Sequence, residues 1–189
     1  MVATSAPQIQ TQAQTVWQID PTHSLVEFAV KHMMFATVKG RFTGFAGRIV
    51  TEGDDPTRGS VEVEIDSDTV DTRDEKRDQH LRAGDFFETE THPNITFRST
   101  RVESVDGISR FRVIGDLTIR GVTREVVLDA TFNGRGTNPW GQEVAGYSVE
   151  TEINRKDYGV EWNAALEGGG VLVGEKVKIT LELEAAKQA

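Results

Sequence analysis

The chain has no cysteine among its 189 residues. This absence excludes disulfide cross-links, thiolate metal sites and cysteine nucleophiles, and it leaves the redox compartment open. No uninterrupted apolar run approaches the roughly 20 residues of a membrane-spanning helix, so no integral membrane segment is expected. The length suits one domain with a core of its own.

The chain also lacks an excess of basic residues. It has 21 Lys and Arg against 30 Asp and Glu, a formal net charge of −9. Proteins that bind nucleic acids usually collect Lys and Arg into a patch. The one basic cluster, in residues 73–82, is interleaved with Asp74, Glu75 and Asp78, which is typical of a solvated helix face. We therefore expect no nucleic-acid partner.

The first residues, MVATSAPQIQTQAQTV, have neither the positive n-region nor the apolar h-region of a secretory signal. We predict a disordered polar tail over residues 1–16 and one domain over residues 17–186. Without a visible signal the expected location is cytoplasmic. A processed precursor would instead be periplasmic or exported.

Apolar and polar residues alternate with period two in eight segments from residue 25 to residue 184, and turn residues separate the segments. This pattern is typical of short antiparallel strands. The segment SVEVEID, residues 60–66, is the most regular. The segment VKGRFTGFAGRIV, residues 38–50, places Phe42 and Phe45 three residues apart, and a bulge or bend at Gly44 would return both to one face.

One helix interrupts the strands. Thr72 and Glu75 have the spacing of a capping box ahead of RDEKRDQHLRAGDFF, and Gly84 stands where a C-cap glycine belongs. Because no helical pattern alternates with the strands, the sheet should be antiparallel and should close on itself. The predicted fold is all-β, a single eight-stranded barrel that is either filled by side chains or holds one small apolar ligand.

Catalytic and metal sites are weakly supported. A hydrolase would use Asp20, His23 and Ser24, but such triads normally converge from distant segments, and local hydrogen bonds that shape a turn explain Asp20 and Ser24 better. The four histidines have none of the spacings that indicate a metal site. We expect no catalytic residue, no metal and no cofactor.

An acid/base pair would need two carboxyl groups that face one cavity. Most acidic residues have the outward parity of strands, and Asp85 and Asp157 are the exceptions. His32 shares the parity of Phe28 and Val30, which indicates an inward position.

A ligand site is favoured by apolar residues in two connections, HMMFATV and DFF, where a closed core would not need them. Together with the inward parity of the strands they define the predicted lining of the barrel: Phe28, Val30, His32, Met33, Met34, Phe35, Phe42, Phe45, Phe86, Phe87, Phe97, Phe111 and Trp162.

Four segments in order closely resemble the YceI-like, polyisoprenoid-binding family. They are DPTHSLVEFAVKHMMFATVKGRFTGFAG, DQHLRAGDFFETETHPNITFRST, GDLTIRGVTREVVLDATFNG and INRKDYGV. The resemblance covers about residues 17–184. It implies a lipocalin-like barrel with a helix across one end and a hydrophobic tunnel, in a non-enzymatic carrier. Tyr158 departs from the family, which often has Phe there.

The resemblance predicts binding and transport of a long polyisoprenoid or isoprenoid-quinone lipid as the only bound group. We expect head-group specificity at the tunnel mouth, among His23, Arg155, Asp157 and Tyr158. Two other functions stay open: an enzyme acting on a quinone or lipid, with a histidine as acid/base or with a metal, and a filled barrel that contacts a protein partner through its acidic face. A monomer and a homodimer are both compatible with the sequence.

Overall fold

The structure is a computed structural model that describes residues 13–53, 55–167 and 169–188. It contains one α-helix, α1 (Glu75–Arg82), and eleven strands in these ranges. The strands are β1 (Gln14–Ile19), β2 (Leu25–His32), β3 (Ala36–Phe42), β4 (Phe45–Glu52), β5 (Asp55–Asp66), β6 (Val70–Asp71), β7 (Asn94–Ser104), β8 (Arg110–Ile119), β9 (Val122–Thr137), β10 (Glu143–Asn154) and β11 (Val173–Lys187).

All pairings between the strands are antiparallel, and the sheet closes through β1, which pairs with both β4 and β11. The closed ring runs β1, β4, β5, β7, β8, β9, β10, β11 and back to β1. The predicted eight-stranded antiparallel barrel is therefore confirmed.

Two of the eight barrel strands are interrupted. β1 and β2 follow one another along β11, opposite Ala185–Lys187 and then Val173–Glu182, and the residues between them form a turn. β3 and β4 likewise pair in succession with β2 and β1, and they are separated at Thr43 and Gly44. Phe42 and Phe45 pack in the same apolar cluster, as the predicted bend at Gly44 requires.

The barrel begins slightly earlier than predicted. β1 starts at Gln14, within the segment assigned to a polar tail, because Gln14, Thr15 and Val16 already pair with β4. Residues 1–12 of that segment lie outside the described residues.

The helix α1 is confirmed, but its predicted caps are wrong. The N-cap is Asp74, whose carboxylate accepts a hydrogen bond from the Arg77 backbone N–H at 3.1 Å. Thr72 instead bonds Asp78. The C-cap is Ala83 in an extended conformation, and Gly84 does not have a positive φ. None of the helices in the described ranges is long and apolar enough to span a membrane.

The two ends of the barrel differ. The helix end carries α1, the β2–β3 turn, the β8–β9 turn and residues 155–167 and 169–172. The far end carries Gly53 after β4 and the β7–β8 and β9–β10 turns. Near the far end Trp17, Ala145 and Ala185 form a small buried cluster. The main apolar cluster lies inside the barrel and extends to the helix end.

Candidate functional site

The barrel encloses a cavity of about 480 Å³, within the range of roughly 300–1,000 Å³ typical of small-molecule sites. All eight barrel strands contribute to its wall, if each interrupted pair is counted as one strand. Most of the lining residues are aliphatic or aromatic. The alternation of each strand turns one apolar face inward, so a closed barrel of this size has an apolar interior.

Many of the predicted lining residues reach the wall. They are Phe28, Val30, His32, Phe42, Phe86, Phe87, Phe97, Phe111, Arg155, Tyr158 and Trp162. Phe42 packs against Phe28 and Phe87, with ring centroids 5.6 Å apart in both pairs. These three aromatic rings form a continuous part of the cavity wall, from β2 to the segment after α1.

An aromatic cluster covers the helix end of the cavity. The His80 ring of α1 meets Phe86 and Trp162 edge-on, at centroid distances of 5.0 and 4.8 Å. His80 Nε2 lies 3.0 Å from Asp85 Oδ2. Because His80 also lines the cavity, an imidazole paired with a carboxylate reaches the apolar interior at this end.

A buried polar network fixes α1 against the barrel. The Asp78 carboxylate accepts hydrogen bonds from the backbone N–H and the hydroxyl of Thr72. The Arg77 guanidinium donates to the Thr72 hydroxyl at 2.7 Å and to its carbonyl at 2.8 Å. Asp78 and Thr72 are both buried. This network positions His80 and Leu81 over the cavity and leaves Thr72 little capacity for a ligand.

Arg155 is the one charged cavity-lining side chain in the described ranges that is itself buried. It follows β10, and its guanidinium donates to the carbonyls of Gly174 at 2.9 Å and Val160 at 2.6 Å, with a longer contact of 3.5 Å to Val173. Burial lowers the pKa of Arg155, while the negative charge of Glu175 raises it. An arginine stays protonated even so, and the site therefore has a fixed positive charge.

Tyr158 lies on the cavity wall and is only 2% exposed. Burial, with a further contribution from the Asp157 carboxylate, raises the pKa of its phenol to about 12. The phenol is thus neutral and able to donate a hydrogen bond at physiological pH. In the described part of the chain its hydroxyl has no hydrogen-bond partner.

Four predicted lining residues do not reach the cavity wall. Three of them, Met33, Met34 and Phe35, form the turn that joins β2 to β3. Met34 is 57% and Phe35 76% exposed there. Phe45 packs on the main apolar cluster outside the wall. The period-two pattern does not extend through a turn or a strand break. The three turn residues were predicted from the apolar composition of their connection, which does not report the direction of a side chain.

His23 and Asp157 also lie away from the cavity, contrary to the expectation that they stand at its mouth. His23 belongs to the β1–β2 turn, on the outer surface of the barrel. Asp157 is exposed in the short 3₁₀ turn Arg155–Tyr158, which directs Arg155 and Tyr158 inward, and its backbone carbonyl accepts a hydrogen bond from Arg124.

The β1–β2 turn is held by hydrogen bonds. Asp20 accepts from the Thr22 N–H at 2.8 Å and lies 2.8 Å from His23 Nδ1. Ser24 Oγ accepts from the Glu184 N–H at 3.0 Å, so no hydrogen-bonded triad forms. This hydrogen bonding lowers the pKa of Asp20 and raises the pKa of His23.

A cation could fit between Asp20, His23 and Glu184, whose ligand atoms lie within 4.8 Å of one another. The close Asp20–His23 contact already compensates charge in this group. His23 is exposed, and Asp20 and Glu184 are half-buried. The arrangement is that of a turn stabilised by an ion pair.

Much of the apolar wall was absent from the predicted lining, although the pattern contained the signal. In β11, Val177, Ile179, Leu181 and Leu183 alternate with polar residues and all line the cavity. The prediction favoured aromatic residues over aliphatic ones of the same parity. The inward position of His80 could not be read from parity, because α1 is short and mostly polar.

Fold and cavity together define a class of protein, a lipocalin-like barrel with a ligand-sized apolar interior. The sequence profile of the YceI-like domain family matches residues 17–185, so the chain belongs to that family. A UPF0312 protein of Staphylococcus epidermidis is 40% identical over 171 residues, which cover 90% of this chain and 96% of that protein. A UPF0312 protein of Staphylococcus aureus is 40% identical over 173 residues, with the same coverage.

Solved structures have the same fold. BcnA of Burkholderia cenocepacia superposes with a TM-score of 0.76 at 23% identity and covers 88% of this chain and 98% of its own. The YceI protein of Campylobacter jejuni gives 0.69 at 28% identity, with coverages of 84% and 90%. A polyisoprenoid-binding domain from Saccharophagus degradans gives 0.69 at 18% identity, with coverages of 91% and 98%.

Proposed function

We propose that this protein binds one long apolar lipid, of the polyisoprenoid or isoprenoid-quinone type, inside its barrel and carries it without changing it chemically. The observation that supports this most directly is the continuous apolar wall of the cavity. The ligand class is supported by the polyisoprenoid-binding domain among the structural neighbours. No cofactor is part of the proposal.

The energetics indicate where such a lipid is recognised. Burying about 20 chain carbons is nominally worth ~16 kcal/mol from water, at ~0.8 kcal/mol per methylene, which is near the practical ceiling for binding. Most of this gain cancels when the lipid comes from a membrane, where its tail is already out of water. Discrimination between lipids must then come from packing in the bore and from contacts with the head group.

Polar groups at the helix end match this requirement. Arg155 supplies fixed donors, and the Tyr158 hydroxyl has no protein partner in the described ranges. We place the oxygen-containing head group of the lipid beside these two side chains, with its tail along the bore toward Phe111.

The binding test is organic extraction of the purified protein followed by mass spectrometry, with uptake of added polyprenol as a second measurement. A stoichiometric lipid is expected. An Ala130→Phe variant should bind less. Ala130 lines the cavity between Phe111 and Val149, its partners on the two neighbouring strands, so a larger side chain there enters the bore. Thr131→Phe, on the outer face of the same strand, is the matched control. Empty extracts together with no uptake of polyprenol would overturn the proposal.

A second candidate function is favoured by the His80–Asp85 pair. An imidazole held by a carboxylate at 3.0 Å beside an apolar cavity could act as an acid/base on a quinone or lipid head group. Incubation with lipid and analysis of the products would show turnover that a His80→Gln variant loses. Unchanged lipid after incubation would eliminate this function in favour of carriage.

A further inference from the structure

We propose that the turn His32–Phe35, together with Lys31 and Lys39, docks on the surface of an anionic phospholipid bilayer, so that lipid passes there between membrane and cavity. This docking site rests on the proposed function, because it supplies the route by which the lipid enters. We call these residues the docking tip.

The docking tip stands beside one opening of the cavity. The Met33 backbone N–H donates to the Leu172 carbonyl at 2.8 Å, and His32 and Leu172 both line the cavity. Toward the turn β3 pairs only with β2, since its contacts with β6 are limited to Arg41 and Phe42. In the described ranges, the outer edge of β3 near the turn therefore has no strand neighbour, while β2 stays paired with β11 as far as His32, opposite Val173. The turn thus lies at the rim of the barrel, beside the apolar interior.

The docking tip exposes large apolar side chains, with Met34 57% and Phe35 76% exposed. The backbone of the tip is nevertheless fixed by strand pairing up to His32 and Ala36 and by the bond from the Phe35 N–H to the His32 carbonyl. Exposed apolar groups next to a ligand cavity mark an interaction surface, and a rigid turn presents them without a conformational change.

The backbone of the turn points to a function other than turn formation. Met33 and Met34, its two central residues, have φ of 50° and 67°. Hairpin turns with two positive φ values strongly prefer Asn-Gly or Asp-Gly, because other side chains are strained there. Two methionines are a poor choice for making this turn and a good choice for presenting apolar side chains.

Charge identifies the partner. In a chain of net charge −9, residues 28–51 contain no Asp or Glu and four Lys or Arg. Arg41 and Arg48 pair with Asp71 and Glu62. In the described ranges Lys31 and Lys39 have no carboxylate partner; Lys31 donates to the Thr37 hydroxyl. Two ammonium groups that have no carboxylate partner in the described ranges, beside an apolar tip, fit anionic head groups over acyl chains.

Vesicle flotation tests the proposal directly, with vesicles of phosphatidylcholine alone and of phosphatidylcholine mixed with phosphatidylglycerol. The protein should bind the mixed vesicles more tightly, and this preference should weaken as salt is raised. A Met33→Asn/Met34→Gly variant should keep the fold, since Asn-Gly suits the turn, and should lose about tenfold in vesicle binding with the loss of buried apolar surface.

Two further variants separate the contributions. Lys39→Gln should reduce the preference for the mixed vesicles and leave binding to phosphatidylcholine unchanged. Trp140→Ser is the matched control, because Trp140 is 82% exposed in the β9–β10 turn at the far end. It should float with the vesicles as the unmodified protein does.

Lipid extraction distinguishes the two proposals. If the Met33→Asn/Met34→Gly protein contains the same lipid as the unmodified protein but exchanges it more slowly with vesicles, docking is supported. If vesicle binding and lipid exchange are unchanged in this variant, or fall equally in Trp140→Ser, the docking proposal is overturned while the carrier function stands. If no lipid is found in either protein and neither takes up added polyprenol, the carrier function fails on its own test.

Discussion

Replacing Arg155 with methionine should destabilise the barrel, and the size of the effect tests whether this buried charge belongs to the fold or to the ligand. Methionine has a similar length and no hydrogen-bond donor. The change removes the two short bonds to the carbonyls of Gly174 and Val160, at 2.9 and 2.6 Å, and the longer contact to Val173. These bonds join the end of β10 to the start of β11 and to the segment between them.

The magnitude follows from those contacts. A hydrogen bond that involves a charged group contributes ~1.5–3 kcal/mol, so the two short bonds together account for ~3–6 kcal/mol. Desolvation of the guanidinium, which also lowers the pKa of Arg155, offsets part of this gain. We expect the free energy of unfolding to fall by about 2–4 kcal/mol, which in a chain of this size is a decrease in Tm of about 4–16 °C.

Urea denaturation followed by far-UV circular dichroism measures the change, with lipid removed from both proteins beforehand. Arg155→Lys should lie between the wild type and the methionine variant, because an ammonium group cannot reproduce the planar fork of the guanidinium. If the lipid-free methionine variant is within about 0.5 kcal/mol of the wild type, the structural role is refuted. The buried charge would then be maintained for the head group alone.

Three further predictions concern the barrel and its surroundings. Gly115→Ala should lower the free energy of unfolding, measured by urea denaturation, by at least about 2 kcal/mol, because a Cβ there would lie 2.4 Å from the Arg98 carbonyl oxygen. Tyr158→Phe should leave stability within about 1 kcal/mol and weaken lipid retention in the extraction assay. The Asp20–His23 pair should stabilise the fold most between about pH 4 and pH 6.5, measured as the difference in urea midpoint between wild type and His23→Gln across pH.

The sign of the pH effect follows from the two pKa shifts. The pKa of His23 is raised from 6.5 in the folded state, so its contribution is complete below 6.5 and is lost as pH rises through the folded pKa. The pKa of Asp20 is lowered from 3.8, so its contribution is present above 3.8 and is lost as pH falls through the folded pKa. A midpoint difference that grows above neutral pH would contradict this assignment.

Controls exist for the other two predictions. Gly136→Ala, in β9, places a Cβ with nothing within 4 Å, and it should be nearly neutral where Gly115→Ala is not. For Tyr158→Phe, equal lipid retention in variant and wild type would show that the phenol does not contact the head group.

The closed barrel could be predicted from the sequence because alternation is a local property that each strand repeats. The irregular second strand was interpretable for the same reason. Phe42 and Phe45 are three residues apart, and a break at Gly44 brings both into one cluster. The caps of α1 could not be predicted from the spacing of residues in the sequence. Thr72 and Asp74 are both good N-cap residues. Asp74 bonds the Arg77 N–H, whereas Thr72 bonds the Asp78 side chain of the first turn of α1.

The site was predictable where it lies on strands and poorly predictable where it lies on connections. Phe28, Phe97 and Phe111 follow parity and line the cavity. A single 3₁₀ turn directs Arg155 and Tyr158 inward and Asp157 outward. The alternation of apolar and polar residues gives no information about the orientation of such a turn.

The exposed turn at Met34 and Phe35 shows both what the sequence predicts well and what it does not. The apolar connection HMMFATV was correctly singled out as unnecessary for a core, and it was therefore assigned to the lining of the cavity. His32 does line the cavity, but Met33, Met34 and Phe35 do not reach it, and Met34 and Phe35 are exposed. The composition of the segment indicated an apolar contact, but it did not indicate on which side of the barrel that contact is made. An apolar turn that the core does not need, beside the opening of an apolar cavity, is explained most simply by a partner that is itself apolar and lies outside the protein.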